Sequence, residues 1–331
     1  MTSVAFFSSS SGAGTTLLVY HLTWMYADMG CRVVAADLDP QANLTSMFLN
    51  EDRLEELWPD GEHSQSVLGA IRPILKGTGD IAEPYVEDIS DNIGLIVGDL
   101  GLSTFEDKLS DAWPRCHDRD ESAFRIISAF HRLLQRAADS RGAELILMDV
   151  GPNLGAINRA AIIAAEHVAI PLAPDLFSLQ GLRNLGPTLR DWRREWKERR
   201  ERNPDGTLDL PGGDMEPAGY VVMQHAVRLD RPVQAYGRWM ERIPEEYRSA
   251  VLASVGKLAS AVEKDPNCLA QLKHYRSLMP MAMEARKPIF FLKPADGAIG
   301  AHYSAVQECG KDFRKLAERL AKRCHLSVTR S

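Results

Sequence analysis

The chain has 331 residues, 45% of them hydrophobic and 25% charged, with a formal charge of −6, enough for a substantial globular core. No apolar run approaches the roughly 20 residues of a membrane span, and the acidic balance argues against a uniformly basic nucleic-acid coat. Five scattered cysteines (Cys31, Cys116, Cys268, Cys309, Cys324) without a CxxC pair argue against a disulfide framework or a zinc site.

In chain order, "VAFF" reads as a first strand, and its "MTSVAFF" start lacks the basic and cleavage pattern of a signal peptide. A cytoplasmic, nucleoid-associated location is expected, with no membrane partner. The turn "SSSSGAGTT" follows, then an apolar helix ending at Gly30. "RVVAADLD" is the second strand. Residues 51–91 are polar with scattered Gly and Pro and read as an insertion, and "IGLIVGD" resumes the strands. One helix is expected over "SAFRIISAFHRLLQRAADSRG", stopping at Gly142, before the strands "ELILMDVG" and "HVAIPLAP". A turn-rich connector at 203–217 reads as a second insertion, followed by the strand "GYVVMQ" and a terminal helix from Ala298 to Cys324. Apolar strands alternating with helices indicate an α/β fold: a doubly wound, mostly parallel sheet with helices on both faces, in one domain over residues 1–331.

Three features stand at strand ends, where open α/β sheets bind ligands. They are the glycine turn, "AADLDPQANLT" with Asp37 and Asp39, and "LILMDVGPNLG" with Asp149. Phosphoryl transfer needs donors around the phosphates, a cation, and an acceptor for the attacking water. Carboxylates beside a glycine turn could hold the cation and supply the acceptor.

On "DLDPQANLT", "MDVGPNLGAINRAA", "IPLAPDLFSLQGLRNL" and "KPADGAIGAHYSAV", the chain resembles the ParA and MinD group of deviant P-loop ATPases, and within it the ParA-like partition proteins. The resemblance implies a P-loop NTPase-like fold, with ATP or ADP and Mg2+ as ligands. It implies that Asp39 orients the attacking water, that Asp37 is the neighbouring switch carboxylate, and that Asp149 holds magnesium through water. Thr16 would supply the hydroxyl on magnesium. Ser10, Ser11, Gly12, Ala13, Gly14, Thr15, Thr16 and Leu17 would form the phosphate loop, and Met223, Gln224 and Pro294 would contact adenine. A homodimer, nonspecific DNA and a ParB-like or other partner protein are the implied partners.

The departure lies in the loop. Read without gaps, Ser10 stands at the family's signature lysine, Ser11 at the first glycine and Thr15 at the P-loop lysine. A gapped reading, with Thr15 and Thr16 as the hydroxyl pair, restores no lysine either. The first Lys or Arg in the chain is Arg32 and the first lysine Lys76. Gly12, Gly14 and a helix N-terminus remain, and their amides and dipole still favour an anion. Impaired ATP binding and weak or absent hydrolysis are expected. The alternatives are an ATPase using a cation from a partner or second subunit, and a scaffold without nucleotide. An amide-forming synthetase or an iron-protein-like reductase of the same fold is disfavoured by "DLDPQANLT" and by the absence of cysteine between Cys116 and Cys268.

"RDWRREWKERRERN" mixes seven basic with four acidic residues, the pattern of a solvated helix face. Arg190, Arg193, Arg194 and Lys197 are the DNA-contact candidates, whereas Trp192 and Trp196 are expected to pack the helix. His225 and the Met-rich "LMPMAMEA" read as core or interface.

Overall fold

The chain begins with β1 (Thr2–Phe6), α1 (Thr15–Asp28), β2 (Val33–Asp37), α2 (Asn43–Phe48), α3 (Glu51–Leu57), α4 (Val67–Lys76), β3 (Glu87–Ser90) and β4 (Ile93–Ile96). It continues through α5 (Glu106–Arg115), α6 (Glu121–Ile127), α7 (Ala129–Arg141), β5 (Leu145–Asp149), α8 (Ala156–Ile163), β6 (His167–Leu172) and α9 (Leu176–Arg200). The last elements are β7 (Glu216–Met223), α10 (Val233–Glu246), β8 (Cys268–Leu272), α11 (Leu278–Ala285) and α12 (Ala301–Arg323). The structure, a computed structural model, describes residues 1–9, 12–223, 233–254, 261–273, 275 and 277–327.

The strands form one sheet in the order β3-β4-β2-β5-β1-β6-β7-β8, parallel except for the β3–β4 pair. Central strands covered on both faces must be apolar throughout, and every residue of β2, β5 and β6 is buried. Alternate side chains feed two cores. Val4 and Phe6 pack beneath α1 and α12, while Ala5 and Phe7 pack beneath α4 to α9.

All six expected strands form. The edge strands β3, "EDIS", and β8, "CLAQL", were not foreseen, because short half-exposed edges lack the continuous apolar run of buried strands. The stretch 51–91, expected as an insertion, holds α3, α4 and β3, and α4 sends Val67, Ala70, Ile71 and Ile74 into the core. The single helix expected over 122–142 breaks at Ser128. That hydroxyl donates to Phe124 O at 2.7 Å and accepts from Arg132 Nε at 3.1 Å, a side-chain competition with helical backbone bonding. The connector at 203–217 forms a loop up to β7, pinned where Trp196 Nε1 donates to Pro211 O at 3.0 Å.

Candidate nucleotide site

The turn after β1 owes its shape to two glycines. Gly12 and Gly14 both have φ of +81°, a left-handed backbone that L side chains adopt only with strain. Gly14 also lacks room, since a Cβ there would lie 2.8 Å from Met223 Cε. It forms the N-cap of α1, where no side chain caps the amides and the first turn holds no acid. Those N–H groups and the helix dipole are therefore open to an anion. Ser10 and Ser11 lie outside the described residues.

The carboxylates converge because their strands are neighbours. Asp37 ends β2 and Asp149 ends β5, and the two are register partners. The side chain of Thr16, the second residue of α1, interacts with the Asp149 carboxyl, and Asp149 Oδ2 is buried without a hydrogen-bond partner. Burial, and then the Asp37 charge, push the Asp149 carboxyl well above the ordinary range. Asp39 accepts from Gln41 N at 3.0 Å and is 8% exposed. Residues 12–17 join Asp39 and Asp149 around one cleft of about 410 Å³, walled opposite by Met279 and Met283. Among the described residues lining it are two carboxylates and no Lys or Arg.

Asp37 stands apart from this cleft and acts on its wall. Fully buried, its Oδ2 accepts from Thr45 N at 2.8 Å and from Thr45 Oγ1 at 2.7 Å, and that hydroxyl in turn accepts from Gly98 N at 2.8 Å. Burial raises its pKa to about 7 against the lowering effect of those bonds. Asp37, expected as the neighbouring switch carboxylate, organises the "DPQANLT" turn through these bonds. Glu106 does the same for the segment after β5, accepting from Ala156 N at 2.6 Å and Ile157 N at 2.8 Å at the start of α8.

The remaining candidates separate. Met223 touches the loop through Gly14, Gln224 and His225 lie outside the described residues, and Pro294 is exposed on a short turn away from the cleft lining. Of the DNA candidates, Arg190 donates to Ala250 O and to Val251 O at 3.3 Å, and Arg193 to Asp214 O at 2.6 Å and Met215 O at 2.7 Å. Both guanidinium groups hold neighbouring backbone. Arg194 pairs with Asp191 on the surface and Lys197 is exposed. Trp192 and Trp196 are buried as expected, with Trp196 stacked on Trp113 at 6.0 Å between ring centroids. Sequence reasoning missed Thr45, Glu106 and the two cleft methionines. Thr45 lies within the "DLDPQANLT" motif, and only its buried partners reveal its role.

A family description, "AAA domain", matches residues 1–201. The chain is 26% identical over 191 residues to the chromosome-partitioning ATPase Soj of Thermus thermophilus, covering 57% of this chain and 62% of that one. Matches to the curated relatives span between 40% and 66% of their lengths. In structure it is similar to a Corynebacterium diphtheriae protein, with a TM-score of 0.72 at 22% identity over 98% of this chain and 99% of that one. A plasmid partition protein of Borrelia burgdorferi bound to AMPPNP gives a TM-score of 0.59 at 15% identity, over 97% and 99%. At such identities these likenesses establish the fold alone. Taken with the match over residues 1–201 and the relatives in sequence, the loop, paired strand-end carboxylates and parallel sheet place the chain in the AAA-domain family of ParA-like partition ATPases.

Proposed function

We propose that the chain is a nucleotide-responsive protein of DNA or cargo partition, with weakened ATP binding and slow or absent hydrolysis. The observation that carries this reading is a cleft lined by the open amides of α1, Asp39 and Asp149, with no Lys or Arg among its described lining residues. Without a desolvated lysine, only uncharged donors such as the backbone amides meet the charge of a polyphosphate among the described lining residues.

Hard oxygen donors suit magnesium, and the Thr16 hydroxyl with the unpartnered Asp149 Oδ2 fits it. Among the described residues no three acidic, His or Cys side chains converge on one ion, so magnesium here would rely on phosphate oxygens for its remaining ligands. When bound, it neutralises charge on those oxygens. Asp39 is the acceptor for the attacking water, the α1 amides cradle the phosphates, and Met223 sets the depth of the loop beneath them.

A homodimer is supported by Leu154, Leu176 and Phe177, which are 36%, 51% and 72% exposed just beyond β5 and β6, at the loop's end of the sheet. Nonspecific DNA and a ParB-like partner belong to the same reading, with Arg194 and Lys197 the DNA candidates left exposed. MgATP binding and turnover, measured beside the triple variant Ser10→Lys, Ser11→Gly, Thr15→Lys, test the proposal. Turnover should rise roughly 100-fold or more in the variant. Wild-type turnover equal to that of the variant overturns the impaired-site reading; a rate that climbs with protein concentration identifies a cation donated by a second subunit.

A further inference from the structure

A second chamber of about 170 Å³ adjoins the nucleotide cleft across a shared wall made by Ser46, Met47, Met279 and Met283. Its far side carries Arg286 and Lys287, the Lys and Arg side chains lining the combined space among the described residues. They differ in availability. The Lys287 ammonium is committed to both carboxylate oxygens of Asp296, at 2.8 and 3.1 Å. The Arg286 guanidinium donates through Nη1 to the Leu49 carbonyl, at the C-terminal cap of α2. Among the described residues no carboxylate lies within ion-pair distance of it, and a guanidinium has five N–H donors.

The backbone adds an independent observation. Arg286 caps α11 with φ of +48°, the left-handed C-cap conformation that glycine adopts without strain. A long side chain there carries backbone strain that glycine would avoid. Its contact with Leu49 ties the guanidinium to the helix that follows the Asp39 turn, beside the shared wall.

We propose that Arg286 is the phosphate-binding cation of this lysine-free site, holding a phosphoryl group of a nucleoside polyphosphate whose other phosphates rest on the open amides of α1. This assignment rests on the nucleotide reading above and names the group that replaces the missing loop charge. A planar fork suits phosphate oxygens better than a point charge does.

The test is calorimetric titration with MgATP and with adenosine for the wild type, Arg286→Gly and Arg286→Gln, with Arg314→Ala as control because Arg314 pairs with Asp28 on the surface. Glycine suits the backbone at this position, and glutamine keeps much of the side-chain length without charge. Both variants should weaken MgATP binding by about tenfold or more while leaving adenosine binding unchanged, and Arg314→Ala should bind as the wild type does. MgATP affinity within about twofold of wild type in either variant overturns this inference and leaves the nucleotide reading standing. Equal loss for adenosine assigns Arg286 a structural role and also overturns it. A wild type that binds no MgATP overturns both readings.

Discussion

Replacing His21 with phenylalanine probes the joint between the phosphate-loop helix and the C-terminal segment. His21 is fully buried on α1; its Nε2 accepts from Ile289 N at 3.2 Å, so Nδ1 carries the proton and donates to Leu17 O at 2.9 Å. Its ring stacks on Phe313 at 4.8 Å. Burial lowers the imidazole pKa from 6.5 to about 4, because a charged ring here would lose its water and one acceptor bond. Above about pH 6.5 both folded and unfolded states are neutral and the full stability is present. As pH falls from 6.5 to about 4 the unfolded state takes up a proton that the folded state refuses, and stability declines by about 3 kcal/mol; below that both states are protonated and the decline stops. His21→Phe leaves Ile289 N without its partner and should cost about 1–3 kcal/mol at pH 7.5. It also removes this acid sensitivity, so the gap between the two proteins should close by about 3 kcal/mol at pH 4. Urea unfolding of both proteins at steps between those values measures the gap, and contributions from other carboxylates cancel in the difference. Parallel pH profiles would refute the claim that a neutral buried imidazole joins α1 to Ile289.

Thr45→Val should destabilise by about 2–4 kcal/mol, since it strips one bond from the buried Asp37 carboxylate and orphans Gly98 N. Thr45→Ser should recover most of that loss, and a valine variant within about 0.5 kcal/mol of wild type in urea unfolding counts against Asp37 as organiser of the turn. Gly14→Ala meets both a left-handed backbone and the Met223 methyl at 2.8 Å, for an expected loss of about 1–3 kcal/mol in the same assay. Gly12→Ala, with open space around it, should lose only about 1 kcal/mol; equal losses for the two would mean that Met223 does not support the loop.

The central strands were legible in the sequence because a parallel strand covered on both faces reads as a continuous apolar run, as "VVAA" and "LILM" do. Their carboxyl ends carried the acids, and the glycine turn with no lysine marked the candidate site. The edge strands and the α4 core contribution were hidden, since short or amphipathic pieces look alike whether they lie on the surface or against a sheet. Chain order cannot reveal that β5 inserts between β1 and β2, which is what brings Asp149 into register with Asp37. Residue type cannot reveal direction either: Arg190 and Arg193 look like Arg194 in the sequence, yet packing turns them toward backbone carbonyls. Thr45 bridging Asp37 and Gly98, and Arg286 donating to the Leu49 carbonyl 237 positions earlier in the chain, are long-range contacts. The sequence by itself determined the fold class, the loop and its missing charge. Only the tertiary structure decided which acids face the cleft and which bind backbone instead, because that depends on strand order and helix packing rather than on local pattern.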